Sequence, residues 1–222
     1  MRIDDQKRVV AEAAAELVAD GAALGLGTGS TVAHFLPALA ARGLRLRCVA
    51  TSPATEAHVS SLGLVLEPFD AVDRLDLAVD GADQVTPDLW LVKGGGGAHT
   101  REKIVAGAAD DFVVIVSSDK LVDRLGPPVP LELLRFGLSA TLRRLSRLGP
   151  VRLRGAGPSP DGGVLADYVG AFEDPAALAA QLSSVPGVVD HGLFAPELVS
   201  SVLVGREDGS VLRLGEVGTR PG

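Results

Sequence analysis

A chain of 222 residues, 46% of them hydrophobic, can bury a sizeable core without disulfide or metal staples and reads as one domain plus a smaller appendage. A net charge of −7 and an aromatic content of 4% exclude a nucleic-acid partner, which needs a positive surface and stacking platforms. Cys48, the single cysteine, excludes an intramolecular disulfide and fits a reducing cytoplasm, and the lack of any apolar run near the roughly 20 residues of a membrane span excludes a membrane helix.

Helix and strand patterns alternate through the first half. Residues 4–20 predict a helix with Val9, Val10, Ala13, Ala14, Leu17 and Val18 on one face and Gly21 as its stop. A strand over 22–26 runs into Gly27-Thr28-Gly29-Ser30-Thr31, after which 32–42 reads as a helix ended by Gly43. A strand over 46–50 leads to Ser52 as N-cap and Pro53 as first residue of a helix that stops at Gly63. Residues 75–79, 89–92 and 112–116 are further apolar runs of strand length. The alternation predicts an α/β fold, a Rossmann-like, mostly parallel sheet with helices on both faces.

At Gly126-Pro127-Pro128-Val129-Pro130 the pattern changes. A helix over 139–148, strands over 151–154 and 164–168, and a helix from Pro175 capped by Asp174 read as a smaller α+β, ferredoxin-like domain. Residues 198–204 and 211–214 read as a hairpin around Asp208-Gly209. The expected organisation is a Rossmann-like, site-bearing domain over 1–126, with 198–222 returning to it, and a small domain over 127–197.

Four loops fall at the carboxyl ends of strands, where a parallel sheet binds ligands. Thr28, Gly29, Ser30 and Thr31 offer amides, hydroxyls and a following helix N-terminus, which suit a phosphate. The loop lacks both the third glycine of a dinucleotide fingerprint and the lysine of a Walker loop. Asp80-Gly81-Ala82-Asp83 delivers two carboxylates from one buried strand, able to shuttle protons or grip sugar hydroxyls, or alternatively to form a solvated turn. Lys93-Gly94-Gly95-Gly96-Gly97-Ala98-His99-Thr100-Arg101-Glu102-Lys103 is the most informative stretch. Backbone free of Cβ atoms folds tightly enough to bring its own N–H groups, Lys93 and Glu102 around one small ligand, provided that a helix starts near Thr100. Taken separately, Glu102 could merely complement a helix dipole and Lys93 could be a surface cation. With 17 arginines and four lysines in the chain, a lysine here fits a need for a compact ammonium with an adjustable proton. The fourth loop, Ser117-Ser118-Asp119-Lys120, brings Lys120 towards an anion or leaves it exposed at a helix start. His34, His58 and His191 read as structural, His99 as a neighbour of the site, and Lys7 either as reaching the phosphate loop from the first helix or, by default, as part of a solvated helix face. A metal held by Asp80, Asp83 and His99 has no recognised ligand spacing behind it.

The ordered set resembles ribose-5-phosphate isomerase of the A type. Gly25-Leu26-Gly27-Thr28-Gly29-Ser30-Thr31, Asp80-Gly81-Ala82-Asp83, Lys93-Gly94-Gly95-Gly96 with Thr100-Arg101-Glu102-Lys103, and Lys120 before Leu125-Gly126 occur in that family's order and approximate spacing. Pro130-Leu131-Glu132-Leu133, Pro186-Gly187-Val188-Val189 and Gly192-Leu193-Phe194 extend the likeness through most of the chain. Departures are Gly97 in place of the usual alanine, Gln84 where an acid is common, and Arg135 where the strand is usually less charged.

The resemblance implies interconversion of D-ribose 5-phosphate and D-ribulose 5-phosphate through an enediolate, in the non-oxidative pentose phosphate pathway, with no metal or organic cofactor. It implies Glu102 as the base, Lys93 and the amides of Gly94, Gly95 and Gly96 as oxyanion donors, and Asp80 and Asp83 in ring opening and proton transfer between sugar oxygens. Thr28 to Thr31, with Gly81, Ala82 and Lys120, would bind the sugar phosphate. A cytoplasmic homodimer or homotetramer is the expected assembly. The alternatives are a non-catalytic sugar-phosphate sensor, against which stands the lack of room for a DNA-binding module before the first strand, and an amino-sugar phosphate deaminase, lactonase or coenzyme A transferase on a similar sheet.

Overall fold

The computed structural model describes residues 1–72 and 74–215. The chain opens with α1 (Ile3–Ala15), which ends earlier than its apolar pattern because the Arg42 guanidinium donates to the carbonyls of Ala15 and Val18 and closes the last turn. β1 (Ala23–Leu26), α2 (Ser30–Ala41) and β2 (Arg47–Ala50) follow as the patterns predict. Ser52 Oγ accepts from the Thr55 amide at 3.2 Å and Pro53 takes the first helical position, so α3 (Pro53–Ser61) starts where its cap dictates.

β3 (Leu75–Asp80) leads to two short strands, β4 (Gln84–Val85) and β5 (Leu91–Val92). The expected strand over 89–92 is thereby halved, since Leu89 turns the chain at φ 67° and cannot extend a ladder. α4 (His99–Ala108) then passes directly into β6 (Ala109–Ser117), which begins earlier than its apolar run. The remainder comprises β7 (Val129–Leu133), α5 (Leu138–Leu145), β8 (Val151–Pro158), β9 (Val164–Tyr168), α6 (Pro175–Ser183), β10 (Val188–His191), β11 (Leu193–Phe194), β12 (Ser201–Gly205) and β13 (Val211–Gly215). Residues 216–222 of the segment expected to return to the first sheet lie outside the described residues.

Three sheets result among the described residues. The largest runs β13-β12-β6-β3-β1-β2, parallel except for the antiparallel edge pair β12–β13. Alternating side chains of its strands face two cores: Val113 and Ile115 of β6 point to α1 and α2, through Val10, Ala14, Phe35 and Leu39, while Val114 and Val116 share a core with Val105 and Ala106 of α4. The second sheet, β10-β7-β9-β8, is antiparallel and arises from a βαββαβ sequence, the ferredoxin-like pattern, with Leu145 of α5 and Leu178 and Leu182 of α6 packed on Leu131 and Leu133. The third, β11-β5-β4, bridges the other two and is invisible to pattern reading because its strands are two residues long.

Gly25, in the middle of β1, sets the depth at which α4 lies. A Cβ there would sit 2.4 Å from Val105 Cγ1 and 3.1 Å from Ala78 Cβ, so only a glycine lets α4 rest on the strand. Gly25→Val is expected to cost about 1–3 kcal/mol, the usual penalty of overpacking, seen as a lower denaturation midpoint at unchanged slope. An unshifted midpoint would show that α4 does not depend on this contact.

Candidate active site

The strand order makes the crevice. From β1 the chain crosses over to β2 on one side and then returns to β3 on the other, so the loops leaving β1 and β3 diverge at their carboxyl ends. Asp80, the last residue of β3, leans across that gap: a Cβ on Gly27 would lie 1.9 Å from its Cγ, so the glycine is the space the carboxylate occupies. Asp80 Oδ1 accepts from the amides of Thr28 at 2.9 Å and Gly81 at 2.7 Å, while Oδ2 accepts from Lys93 Nζ at 2.7 Å. Lys93 follows β5, anchored by its amide to Gly192 O at 2.8 Å, and its ammonium donates a further bond to Gly81 O at 2.5 Å. On its other side stands Glu102 Oε2, 3.1 Å away, carried by the first turn of α4.

These three side chains are 3–4% exposed and carry a net charge of −1 when both carboxyls are ionised. Burial raises the Glu102 carboxyl to about 7, the Asp80 charge adding to the effect and Lys93 opposing it. Burial would lower the Lys93 ammonium, but the charges and hydrogen bonds of Asp80 and Glu102 outweigh it and push the group up to about 12. Glu102 Oε2 has the ion pair but no hydrogen-bond partner of its own, which leaves a lone pair to accept a proton. Proton-accepting carboxylate and fixed ammonium thus lie side by side.

The rest of the expected set gathers around this pair. All of it except Asp80 lines a single cavity of about 140 Å³. Asp83, exposed at the rim, accepts from the Gly95 amide at 2.8 Å, and the loop of Gly94, Gly95 and Gly96 forms one wall. Gly81 and Ala82 lie opposite. Thr28 Oγ1 is held by a hydroxyl cluster, 3.1 Å from Thr51, 2.7 Å from Ser52 and 3.0 Å from Thr55. Gly29 precedes α2, so Ser30 and Thr31 occupy its first turn, whose amides have no partner within the helix, and both line the cavity. Lys120, in the turn after β6, also reaches the cavity, with Asp119 3.4 Å from its ammonium. Two larger clefts of about 570 and 790 Å³ contain no buried acid–ammonium pair.

Among the histidines, His99 is fully buried and its imidazole, neutral because burial lowers it to about 4, lies against Gly94 without lining the cavity. His34 pairs with Asp4 at 3.0 Å and His191 is held near 3 by burial and Lys103. Among the described residues no group of three metal-type ligands converges. Of the two readings of Lys7, the structure shows the reach to the phosphate loop rather than the solvated face taken as the default: its ammonium donates to Ser30 Oγ at 2.9 Å. The contact forms because α1 packs beside α2. Arg154, unmarked in the sequence, reaches the glycine loop from β8 and donates to Gly94 O and Gly95 O.

Comparison with known proteins identifies the family. The family model for ribose 5-phosphate isomerase A (phosphoriboisomerase A) matches residues 47–209. Ribose-5-phosphate isomerase A of Caulobacter vibrioides (strain NA1000 / CB15N) is 49% identical over 95% of this chain and 98% of its own. That of Rhodopseudomonas palustris (strain BisB18) is 46% identical over 92% and 96%. Among solved structures, ribose 5-phosphate isomerase A from Neisseria gonorrhoeae superposes with a TM-score of 0.92 at 33% identity, over 97% of this chain and 99% of that one. A D-ribose-5-phosphate isomerase in complex with phospho-erythronic acid superposes with a TM-score of 0.90 at 34% identity, over 97% and 100%.

The raised carboxyl has a consequence for folding. A group lifted from 4.5 to about 7 opposes folding once pH exceeds its unfolded value, and the full penalty is present above its folded value. Glu102→Gln is therefore expected to be more stable than the parent, with a gain about 2 kcal/mol larger at pH 8 than at pH 5. Denaturant titrations at the two pH values check this, and a pH-independent difference would contradict the buried, raised carboxyl.

Proposed function

The chain belongs to the ribose 5-phosphate isomerase A family, and on that premise we propose that its cavity interconverts D-ribose 5-phosphate and D-ribulose 5-phosphate by proton transfer through an enediolate. The observation that carries this reading is the Glu102–Lys93–Asp80 cluster beneath a cavity with hydroxyls and helix amides at one end.

In the open-chain aldose the C2–H is acidified by the neighbouring carbonyl. Glu102, ionised, removes that proton; the C2 electrons form the C1=C2 double bond of the enediolate, and the carbonyl electrons move onto O1. The hydroxyl proton on O2 passes to O1, Glu102 returns its proton to C1, and the electrons on O2 reform a carbonyl at C2. A carboxylate in general-base position supplies about 10²–10⁴-fold, so the charge that develops on oxygen needs its own stabilisation. Lys93 stays cationic over the working pH range and, with the glycine-loop amides, meets that charge; one such fixed donor is worth roughly 2.7–4 kcal/mol.

The two aspartates divide the remaining work. Both oxygens of Asp80 are taken up by amides and by Lys93, so it aims the ammonium. Asp83 is exposed and holds one loop amide, leaving it able to move protons between O1 and O2 and to assist ring opening. The phosphate is placed at the start of α2, on Ser30 and Thr31, with Lys7 and Lys120 as countercharges. Phospho-erythronic acid, bound in the related isomerase, supports the enediolate route, since its carboxylate presents two oxygens on a planar carbon as an enediolate does. The assembly inferred is a cytoplasmic homodimer or homotetramer; Cys48 is buried, and burial followed by the Glu67 charge lifts its thiol to about 11. A sugar-phosphate sensor would have no use for a buried base beside an oxyanion donor.

Turnover of ribose 5-phosphate is expected to survive excess chelator, whereas Glu102→Gln should lower kcat by about 10²–10⁴-fold with substrate affinity within about threefold of the parent. Near-normal turnover by that variant would remove Glu102 as the base. Because the carboxyl must be ionised, kcat/KM should rise with pH through about 7. A profile flat from pH 5 to pH 8 would contradict the assignment.

A further inference from the structure

We propose that Arg154, held in place by Asp167, is a positioning residue that sets the glycine loop with its amides towards the reacting oxygen; this rests on the isomerase reading above. The starting point is a break in β8. Between the pairs Leu153↔Ala166 and Pro158↔Val164, β8 advances five residues while β9 advances two. Arg154 is the first residue of that irregular stretch, and such bulges re-aim side chains that a regular strand would keep in its own face.

Its guanidinium works along two edges. Nε and Nη2 donate to Asp167 Oδ1 at 3.0 and 2.6 Å, while Nη1 donates to Gly94 O at 2.9 Å and Gly95 O at 3.2 Å. Both side chains are largely buried, 16% and 8% exposed. Arg152, on the exposed side, reaches only the other oxygen of Asp167, at 3.6 Å. A planar cation with five donors can hold a carboxylate and two carbonyls together; an ammonium on a flexible stem has neither the reach nor the donor layout.

The glycine loop is a wall between two spaces. Gly95 and Gly96 line both the cavity of about 140 Å³ and the cleft of about 790 Å³, whereas Arg154 lines the cleft alone. In a trans peptide the C=O and N–H point in opposite directions. Drawing the carbonyls of Gly94 and Gly95 to the cleft side therefore turns the amides of Gly95 and Gly96 to the cavity side. The Gly95 amide does point there, to Asp83 Oδ2 at 2.8 Å. The Gly96 amide has no protein acceptor among the described residues and stays available for a developing oxyanion. Three successive glycines have no side chains with which to hold this orientation, and a carbonyl flipped into the cavity would repel the charge that the site has to stabilise.

Arg154→Lys, Arg154→Ala and Asp167→Asn test the proposal. The expected result is a fall in kcat of about 10- to 100-fold with KM within about threefold, partial restoration of Arg154→Ala by added guanidinium ion, and little rescue by lysine. Amide hydrogen exchange, read without substrate, should accelerate about tenfold at Gly95 in the variants. Arg154→Lys folding with an unchanged midpoint, parental kcat and parental exchange at the loop would overturn the role. Failure of the isomerase reading is distinguishable, because it would show as absent turnover in the parent while the exchange measurement still reports on the hold of Arg154.

Discussion

A lysine ammonium buried between two carboxylates is the constraint around which this molecule is organised. Taking Asp80, Lys93 and Glu102 out of water is costly for each, and mutual attraction offsets that cost only with close geometry and further hydrogen bonds. Asp80 meets the requirement with two amides and the ammonium, and Lys93 with a carboxylate and the Gly81 carbonyl. Glu102 does not: it shares the ammonium at 3.1 Å and keeps one oxygen without a hydrogen bond. The uneven division is the chemistry. A cluster with one excess negative charge assigns the surplus to its least satisfied member, which becomes the proton acceptor.

Holding such a cluster requires backbone to come closer than side chains ordinarily allow. Gly25 admits α4 to β1, and Gly27 admits the Asp80 carboxylate to the turn after that strand. A third close approach secures Lys93 from behind, where a Cβ on Gly192 would lie 2.1 Å from the Lys93 carbonyl oxygen. That contact belongs to the small β11-β5-β4 sheet, whose role is to bring the chain leaving β10 against the residue that carries the ammonium.

Much of this was legible in the residues, and what was not has identifiable causes. Helix caps are local chemistry, so Ser52 and Asp174 marked the starts of α3 and α6 correctly, the latter accepting from the amides of Ala176 and Ala177. Loops at strand ends are equally readable, and the four of them, three glycine-containing and one ending in Lys120, hold all the residues that line the cavity. Tertiary contacts are less so: the end of α1 is set by Arg42 at the end of another helix, and helix packing decides between the two readings of Lys7 by bringing it to Ser30. Two of the three departures from the family pattern have structural places, since Gln84 clamps Gly126 through both its N–H and C=O, at 2.8 and 3.0 Å, and Arg135 donates to Gly162 O at 2.9 Å. The third follows from packing: Gly97 adopts φ 80°, and a Cβ there would meet Leu165 Cδ1 at 2.5 Å, so glycine suits this loop where alanine would strain it.

The base stays in position because α4 is fixed from several directions at once. Val105 rests on Gly25, and Thr100 donates to the buried Glu132 of β7 at 2.5 Å. Arg101 pairs with Asp161 at 2.7 Å, and Lys103 donates to Asp190 Oδ1 at 2.6 Å and His191 O at 2.5 Å. Adjacent residues of one helix turn thus serve opposite ends, Glu102 facing the cavity and Lys103 the four-stranded sheet. Both ammonium groups approach the Phe194 ring, whose centroid lies 5.5 Å from Lys93 and 5.0 Å from Lys103, and an aromatic face attracts cations at that range. A carboxylate whose own ionisation opposes folding can be kept at a reacting carbon only if its helix has no cheaper place to go. Contacts to the strand below and the sheet beside it remove that freedom before substrate arrives, which is the preorganisation on which a carboxylate base depends.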